Sequence, residues 1–248
     1  MTAATELTLV RHGQTIWHAE NRYAGVSDVP LDATGRAQAL ALAEWARAHP
    51  HDALVCSPVS RARETAAPVA AVLGVDVEVV PELAEVDFGA AEGRTLAELR
   101  ERDRAAADAF VADPVRHPFP GAEPPAEAAQ RVLHALRAVA ERHRGRSVLV
   151  VGHNTALRLA LCAWLGIPVS RYRDVLPRLD NASITQLRVP SEPSRRPTLL
   201  SLNVPAVPVP AAGLPTAPVP THAAPTAAVP TVPADTAVAP DPIAGRTP

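Results

Sequence analysis

Arg11, His12, Arg61 and His153 are the residues of this chain whose types and surroundings suggest chemistry. Arg11 and His12 are adjacent, and a glycine follows His12 while another precedes His153, so the backbone can approach a ligand at both places. A guanidinium is a planar fork of donors that matches phosphate oxygens, and an imidazole can be a donor or a nucleophile. No cysteine or carboxylate stands beside these residues at metal-ligand spacing. The set therefore predicts a phosphate pocket that needs no metal.

The segments that carry these four residues each follow an apolar run of strand length, at residues 7–10, 53–56 and 147–151. In a parallel sheet the carboxyl ends of the strands lie at one edge, and ligands collect there. We therefore expect the four side chains to meet at one rim of a sheet.

Apolar patterns of helical period alternate with the strands. Further strands are predicted at residues 75–80, 183–189 and 198–202, and helices at residues 34–49, 61–73, 96–110, 126–143 and 155–165. Such alternation is typical of a mainly parallel sheet with helices on both faces. The predicted fold is an α/β protein, a three-layer α/β/α sandwich with a mainly parallel central sheet.

The composition changes near residue 203. Residues 204–248 are rich in proline, alanine, valine and threonine, contain no aromatic residue and show no amphipathic period. A segment of this kind cannot bury a core, so we interpret it as a disordered tail. The predicted organisation is one catalytic domain at residues 1–203 and a Pro/Ala-rich tail at residues 204–248.

Composition also excludes several classes of function. All 24 positive side chains are arginine, so a phosphate-binding loop that needs lysine and a pyridoxal Schiff base are excluded. The net charge of −2 argues against a nucleic-acid partner. The longest stretch without formal charge, residues 197–234, is interrupted by prolines and predicts no membrane span. Two distant cysteines suggest free thiols, so we expect a soluble, cytoplasmic protein.

Three segments in order carry a family resemblance: LVRHGQT at residues 9–15, SPVSRARETA at 57–66 and VGHN at 151–154. Together they resemble the motifs of the histidine phosphatase superfamily, also called the phosphoglycerate mutase-like superfamily. The resemblance covers about residues 6–189 and does not extend to the tail. It implies the phosphoglycerate mutase-like fold, no metal and no cofactor.

The resemblance also implies catalytic roles. His12 would be the nucleophile that takes the phosphoryl group and forms a phosphohistidine. Arg11, Arg61 and His153 would bind the phosphoryl oxygens and stabilise the charge of the transferring group.

Glu85 stands where the family keeps its proton donor, four residues before Gly89. It would protonate the leaving alcohol and afterwards activate water. Glu82 and Asp87 are rival acids close by in the sequence.

Four further residues are candidates for substrate binding: Gln14, Thr15, His18 and Asn154. His18 departs from the family, which usually has asparagine at this position as a donor to the phosphate. A ring nitrogen of His18 can still donate a hydrogen bond, but its charge depends on pH.

The branch of the family decides the reaction. Cofactor-dependent mutases of the family carry a lysine-containing insert after the acid motif, whereas this chain has no lysine and reads GAAEGRT at residues 89–95. This form resembles the short phosphatase branch, which implies a phosphoric monoester hydrolase acting on a small-molecule phosphate monoester. Phosphoglycerate mutase is the alternative, and a non-catalytic phospho-ligand binding module is a third. The segment at about residues 96–130 is expected to set substrate specificity.

Overall fold

A six-stranded sheet forms the centre of the protein, in a computed structural model that describes residues 4–192 and 194–206. The strands are β1 Thr5–Arg11, β2 Ala53–Cys56, β3 Val77–Val79, β4 Ser147–Gly152, β5 Ser183–Val189 and β6 Thr198–Pro205. Their order is β3-β2-β4-β1-β5-β6, in which β1 to β4 are parallel while β5 and β6 each run antiparallel to their neighbour. The predicted, mainly parallel sheet is confirmed.

Helices cover both faces of this sheet. They are α1 Ala33–Ala48, α2 Ser60–Leu73, α3 Leu96–Arg102, α4 Arg104–Ala112, α5 Pro125–Arg142, α6 Asn154–Leu165 and α7 Tyr172–Val175. Leu9 and Val150 pack towards α5 and α6, whereas Val10 and Val151 pack towards α1 and α2. Because successive side chains of a strand point to opposite faces, strands covered on both sides are apolar throughout. The three-layer α/β/α sandwich is therefore also confirmed.

Two differences from the prediction go beyond shifts of one or two residues at the end of an element. The helix predicted over residues 96–110 is broken at Asp103, whose side chain accepts a hydrogen bond from the Ala106 N–H and begins α4 instead of continuing α3. The last strand runs to Pro205, and Ala206 is buried against Val10 and Ile184, so the folded chain passes the predicted boundary at residue 203. The rest of the predicted tail lies outside the described residues.

The register of the sheet brings the three segments that were predicted to form the site to the same edge of the sheet. Arg11 at the end of β1 pairs with Gly152 at the end of β4, and Cys56 at the end of β2 pairs with Val151. The chain therefore leaves all three strands at the same rim. Within residues 4–192 and 194–206, no helix has the length and apolar character needed to cross a membrane.

Candidate active site

His12 is held rigidly at the end of β1. Its backbone N–H donates to the Gly152 carbonyl at 2.9 Å, and only 5% of the residue is exposed. Its Nδ1 lies 2.7 Å from the carbonyl oxygen of Gly13, which can only accept, so Nδ1 carries the proton. The lone pair is then on Nε2, which accepts from Nε of Arg61 at 3.2 Å. The geometry selects Nε2 as the nucleophilic nitrogen.

The surroundings of His12 keep its ring neutral. Burial lowers the pKa of His12 well below its ordinary value, and the neighbouring His153, Arg61 and Arg11 lower it further. The pKa of His153 is lowered in the same way, first by burial and then by Arg61 and Arg11. A neutral imidazole keeps the lone pair that attack on phosphorus requires.

Arg61, in the first turn of α2, is fully buried directly behind His12. Its Nη1 donates to Ser27 O at 3.0 Å, and its Nη2 donates to Ala24 O at 3.0 Å and Gly25 O at 2.7 Å. Three loop carbonyls thus orient the guanidinium without neutralising it. Its charge remains available to an anion at His12.

Glu92 organises the loop that holds Arg61, a role that sequence reasoning did not assign. Its carboxylate accepts from the N–H groups of Gly25 at 2.9 Å and Phe88 at 3.0 Å and from the hydroxyl of Ser27 at 2.5 Å. A Cβ on Gly25 would lie 2.1 Å from Glu92 Oε1 and 2.2 Å from Val86 O, so this approach requires glycine. The GAAEG segment was the available signal for Glu92.

Arg11 keeps one donor without a partner. Its Nη1 donates to Leu179 O and its Nη2 to Nε2 of His18, both at 2.7 Å, whereas Nε is buried with no hydrogen-bond partner among the described residues. Burial lowers the pKa of Arg11 to about 10, so the guanidinium is charged at neutral pH. An unpartnered buried donor is costly, and an anion in the site would satisfy it.

His18 accepts from Arg11 in this structure, whereas the sequence suggested that it could donate to the phosphate. Its Nδ1 lies 3.0 Å from the Thr15 N–H and 2.8 Å from Thr15 Oγ1. Burial, followed by the charge of Arg11, lowers the pKa of His18 to about 4, so the ring is neutral at pH 7. His18 therefore orients the guanidinium of Arg11.

His153 lies at the junction between β4 and α6, with its ring centroid 5.2 Å from that of His12. Its Nε2 is 2.6 Å from the hydroxyl of Ser57, while its Nδ1 is buried with no partner among the described residues. Asn181 supports the other side of the site by donating to His12 O at 2.9 Å. Ser57 and Asn181 were not assigned roles from the sequence.

Glu85 lies at the N-terminus of α6, where three backbone N–H groups bind its carboxylate. Oε1 accepts from Ala156 at 2.7 Å and Val86 at 2.9 Å, and Oε2 accepts from Thr155 at 3.0 Å. These donors hold the carboxyl group in place at the start of α6, where it lines the cavity with His12. The two rival acids do not line the cavity with His12: Glu82 is exposed and Asp87 accepts from the Gly89 N–H.

A cavity of about 280 Å³ opens above His12. Six of its lining residues were expected from the sequence: Arg11, His12, Thr15, His18, Glu85 and Asn154. Arg61 and His153 lie beneath His12 and do not line it. Gln14 is also outside the lining, because its side-chain amide donates to Asp32, the N-cap of α1, at 3.0 Å.

The outer walls of the cavity come from segments that sequence reasoning did not select. They include Arg22, Tyr23, Phe88, Arg158, Tyr172 and Arg173. From the segment expected to set specificity, residues 96–130, only Leu96 lines the cavity. Within the described part of the chain, no group of three or more histidine, cysteine or acidic side chains is arranged to hold a metal ion.

Comparisons with known proteins identify similar sequences and similar structures. The sequence profile described as histidine phosphatase superfamily (branch 1) matches residues 7–204. A relative from Salmonella paratyphi C named "Probable phosphoglycerate mutase GpmB" is 34% identical over 182 residues, which are 73% of this chain and 84% of the relative.

Two solved structures illustrate the structural similarity. The α-ribazole phosphatase from Shigella flexneri has a TM-score of 0.72 and 29% identity, covering 82% of this chain and 98% of that one. A mycobacterial glucosyl-3-phosphoglycerate phosphatase, solved with VO3, has a TM-score of 0.71 and 30% identity, covering 80% and 98%. The relative found by sequence is named as a mutase, whereas the two similar structures are named as phosphatases.

Proposed function

We propose that this chain, which belongs to the histidine phosphatase superfamily, hydrolyses small phosphate monoesters through a phosphohistidine formed at Nε2 of His12. It is a phosphoric monoester hydrolase of that family. The observation that carries the proposed mechanism is the state of His12. Its proton is held at Nδ1 by Gly13 O, and the lone pair of Nε2 lies beside the buried guanidinium of Arg61.

In the first half-reaction, Nε2 of His12 attacks phosphorus while the bond from phosphorus to the leaving oxygen breaks. Nε of Arg61 donates to Nε2 in the empty site, so a phosphoryl oxygen must take over this hydrogen bond and free the lone pair. Nε of Arg11 and Nδ1 of His153, both buried without partners, are further candidates to bind phosphoryl oxygens. Donors fixed before the reaction stabilise the developing charge at little reorganisation cost.

Glu85 is the proposed source of the proton for the leaving alcohol. Three backbone N–H groups fix its carboxyl group at the edge of the cavity, and to act as the acid it must carry a proton when the leaving oxygen departs. In the second half-reaction the carboxylate accepts a proton from the water that attacks the phosphohistidine, and phosphate leaves.

The domain and compartment belong to the same proposal. All the proposed catalytic residues lie between Arg11 and His153, within the described part of the chain, so this part forms the catalytic unit. Cys56 and Cys162 are buried free thiols, which supports a reducing, cytoplasmic environment. The guanidinium groups of Arg11 and Arg61 would neutralise the phosphoryl group, so the mechanism uses no metal.

Phosphoglycerate mutase is the second candidate, because a relative bears that name. A mutase must hold a second phosphoglycerate against the phosphohistidine while water is excluded. The chain has no lysine, and the short turn at Gly89–Ala91 is followed closely by α3 at Leu96, without a long insert over the cavity. These features favour water as the acceptor.

A direct competition tests this preference. With 3-phosphoglycerate and catalytic 2,3-bisphosphoglycerate, we expect phosphate release to exceed isomerisation by at least about tenfold, because few groups can hold the second acceptor. Both products are measured in one reaction, with and without a chelator. Isomerisation faster than release would establish a mutase, and loss of activity with the chelator would contradict the metal-free mechanism.

A further inference from the structure

Two arginines in the outer wall of the cavity lack acidic partners. Arg158 is 4% exposed, and Arg173 lies beside it in the lining. Neither forms an ion pair with any carboxylate of the described residues. Arg22 of the same cavity differs, because it pairs with Glu20 at 2.5 Å and Glu98 at 2.9 Å. The positive charge of the outer wall is thus uncompensated at Arg158 and Arg173.

Neighbouring residues orient both guanidinium groups, and in each group one nitrogen makes no hydrogen bond within the described chain. Arg158 donates from Nε to Leu176 O and lies over the ring of Tyr172, 4.6 Å from its centroid. Arg173 donates from Nε to the Tyr172 hydroxyl at 3.1 Å and from Nη1 to Val111 O at 3.2 Å. Nη1 of Arg158 and Nη2 of Arg173 make no hydrogen bond within the described chain. Each side chain is therefore fixed in place with a donor still available.

The cavity carries more positive charge than a simple phosphate monoester would balance. Its lining holds Arg11, Arg158, Arg173 and the paired Arg22, against Glu85 as the acid. A phosphoryl dianion at His12 is matched by Arg11 and by Arg61 beneath it. Arg158 would then remain charged in a buried position without a counter-ion, which is unfavourable, and Arg173 beside it would add a second uncompensated charge.

We propose that Arg158 and Arg173 form a second anion subsite, so that the preferred substrates carry a carboxylate or a second phosphate besides the phosphoryl group that is transferred. This inference rests on the proposed function and narrows it to small metabolites that carry a second anionic group besides the phosphoryl dianion and fit a cavity of about 280 Å³. Arg158 and Arg11 both line this cavity, so one small molecule can contact both guanidinium groups. An anion bound between Arg158 and Arg11 would relieve the repulsion between their positive charges.

Matched substrates that differ only in the second anion test the proposal. The pairs are 3-phosphoglycerate with glycerol 3-phosphate, phosphoserine with phosphoethanolamine, and fructose 1,6-bisphosphate with fructose 6-phosphate. For at least one pair, we expect kcat/KM of the wild type to favour the substrate with the second anion by about tenfold or more, mainly through KM, since each charge-assisted hydrogen bond can supply such a factor. The pairs also separate a carboxylate from a phosphate as the second anion.

Two variants and a control connect the preference to the arginines. In Arg158→Gln and in Arg173→Gln we expect the ratio of kcat/KM within the preferred pair to fall to within about threefold of one, whereas Arg171→Gln keeps the ratio of the wild type. Arg171 is an exposed neighbour that pairs with Asp174 outside the cavity. If Arg158→Gln does not fold, Arg173, which is only partly buried, still provides the test.

The outcomes separate the two proposals. Ratios near one for every pair in the wild type, or equal losses for both members of a pair in the variants, would overturn the second subsite while leaving the phosphatase function in place. A purely structural role of Arg158 predicts a lower melting temperature with an unchanged ratio. Hydrolysis of none of the six substrates would instead overturn the proposed function.

Discussion

His12→Ala is expected to lower kcat for phosphate monoesters by about four orders of magnitude or more. The variant removes Nε2, the atom proposed to accept the phosphoryl group, and loss of a covalent nucleophile typically has effects of this size. The donors of Arg11, Arg61 and His153 remain, so substrate binding should survive better than turnover. Phosphate release under saturating and limiting substrate measures the two effects separately.

A matched histidine variant controls for general damage to the fold. His134 lies on an exposed face of α5 and does not line the cavity, so His134→Ala should keep the activity of the wild type. Thermal melting of both variants checks that they fold. Turnover in folded His12→Ala within tenfold of the wild type would remove His12 from the role of nucleophile.

Glu85→Gln is expected to slow the reaction most for substrates with poor leaving groups. An alkoxide leaving group needs a proton in the transition state, and a positioned general acid contributes about 10²- to 10⁴-fold. An aryl phosphate with an acidic phenol needs little protonation. We therefore expect a loss of that size for an alkyl phosphate and at most about tenfold for p-nitrophenyl phosphate.

Glu85→Gln is also expected to lower the stability of the fold, because of the hydrogen bonds that Glu85 accepts. Both oxygens of Glu85 accept from backbone N–H groups, of Thr155 on one side and of Ala156 on the other. A glutamine amide must direct its NH₂ group at one of these donors, which costs about 1–3 kcal/mol for the unpaired buried group. Glu82→Gln, at an exposed position on the same segment, is the control. Equal slowing of alkyl and aryl substrates in Glu85→Gln would show that Glu85 is not the acid.

The centre of the site was predictable because it depends on strand ends. His12 and His153 directly follow β1 and β4, Arg61 begins α2 shortly after β2, and the parallel register brings these ends level. The motif around each residue then indicated its type of chemistry. Glu85 was also selected in advance, although its position at the N-terminus of α6 depends on contacts that span 70 residues or more.

The supporting residues were not predictable, because their roles depend on long-range packing. Glu92 acts through backbone N–H groups of Gly25 and Phe88, and Ser57 acts through a ring nitrogen of His153. Apart from the GAAEG segment around Glu92, such contacts leave no period or spacing in the sequence. Arg158 has the sequence pattern of any helical arginine, and only the packing of α7 over α6 buries it.

Two expectations about substrate binding changed for the same reason. Gln14 belongs to the first motif, yet its amide donates to Asp32, the N-cap of α1, and it does not line the cavity. His18 faces Arg11 with an acceptor nitrogen, because the guanidinium at Nε2 can only donate, which leaves the ring proton on Nδ1 beside Thr15 Oγ1. A side-chain type at a motif position indicates what a residue can do, whereas its partners decide what it does.

Identification of the phosphorylated atom tests the central claim most directly. The enzyme is mixed with a ³²P-labelled monoester, quenched in alkali during turnover and digested, and the labelled peptide is sequenced. We expect base-stable, acid-labile label on Nε2 of His12, formed and lost at least as fast as kcat and absent from His12→Ala. Label on another residue, on Nδ1 of His12, or retained in His12→Ala would contradict the proposed mechanism.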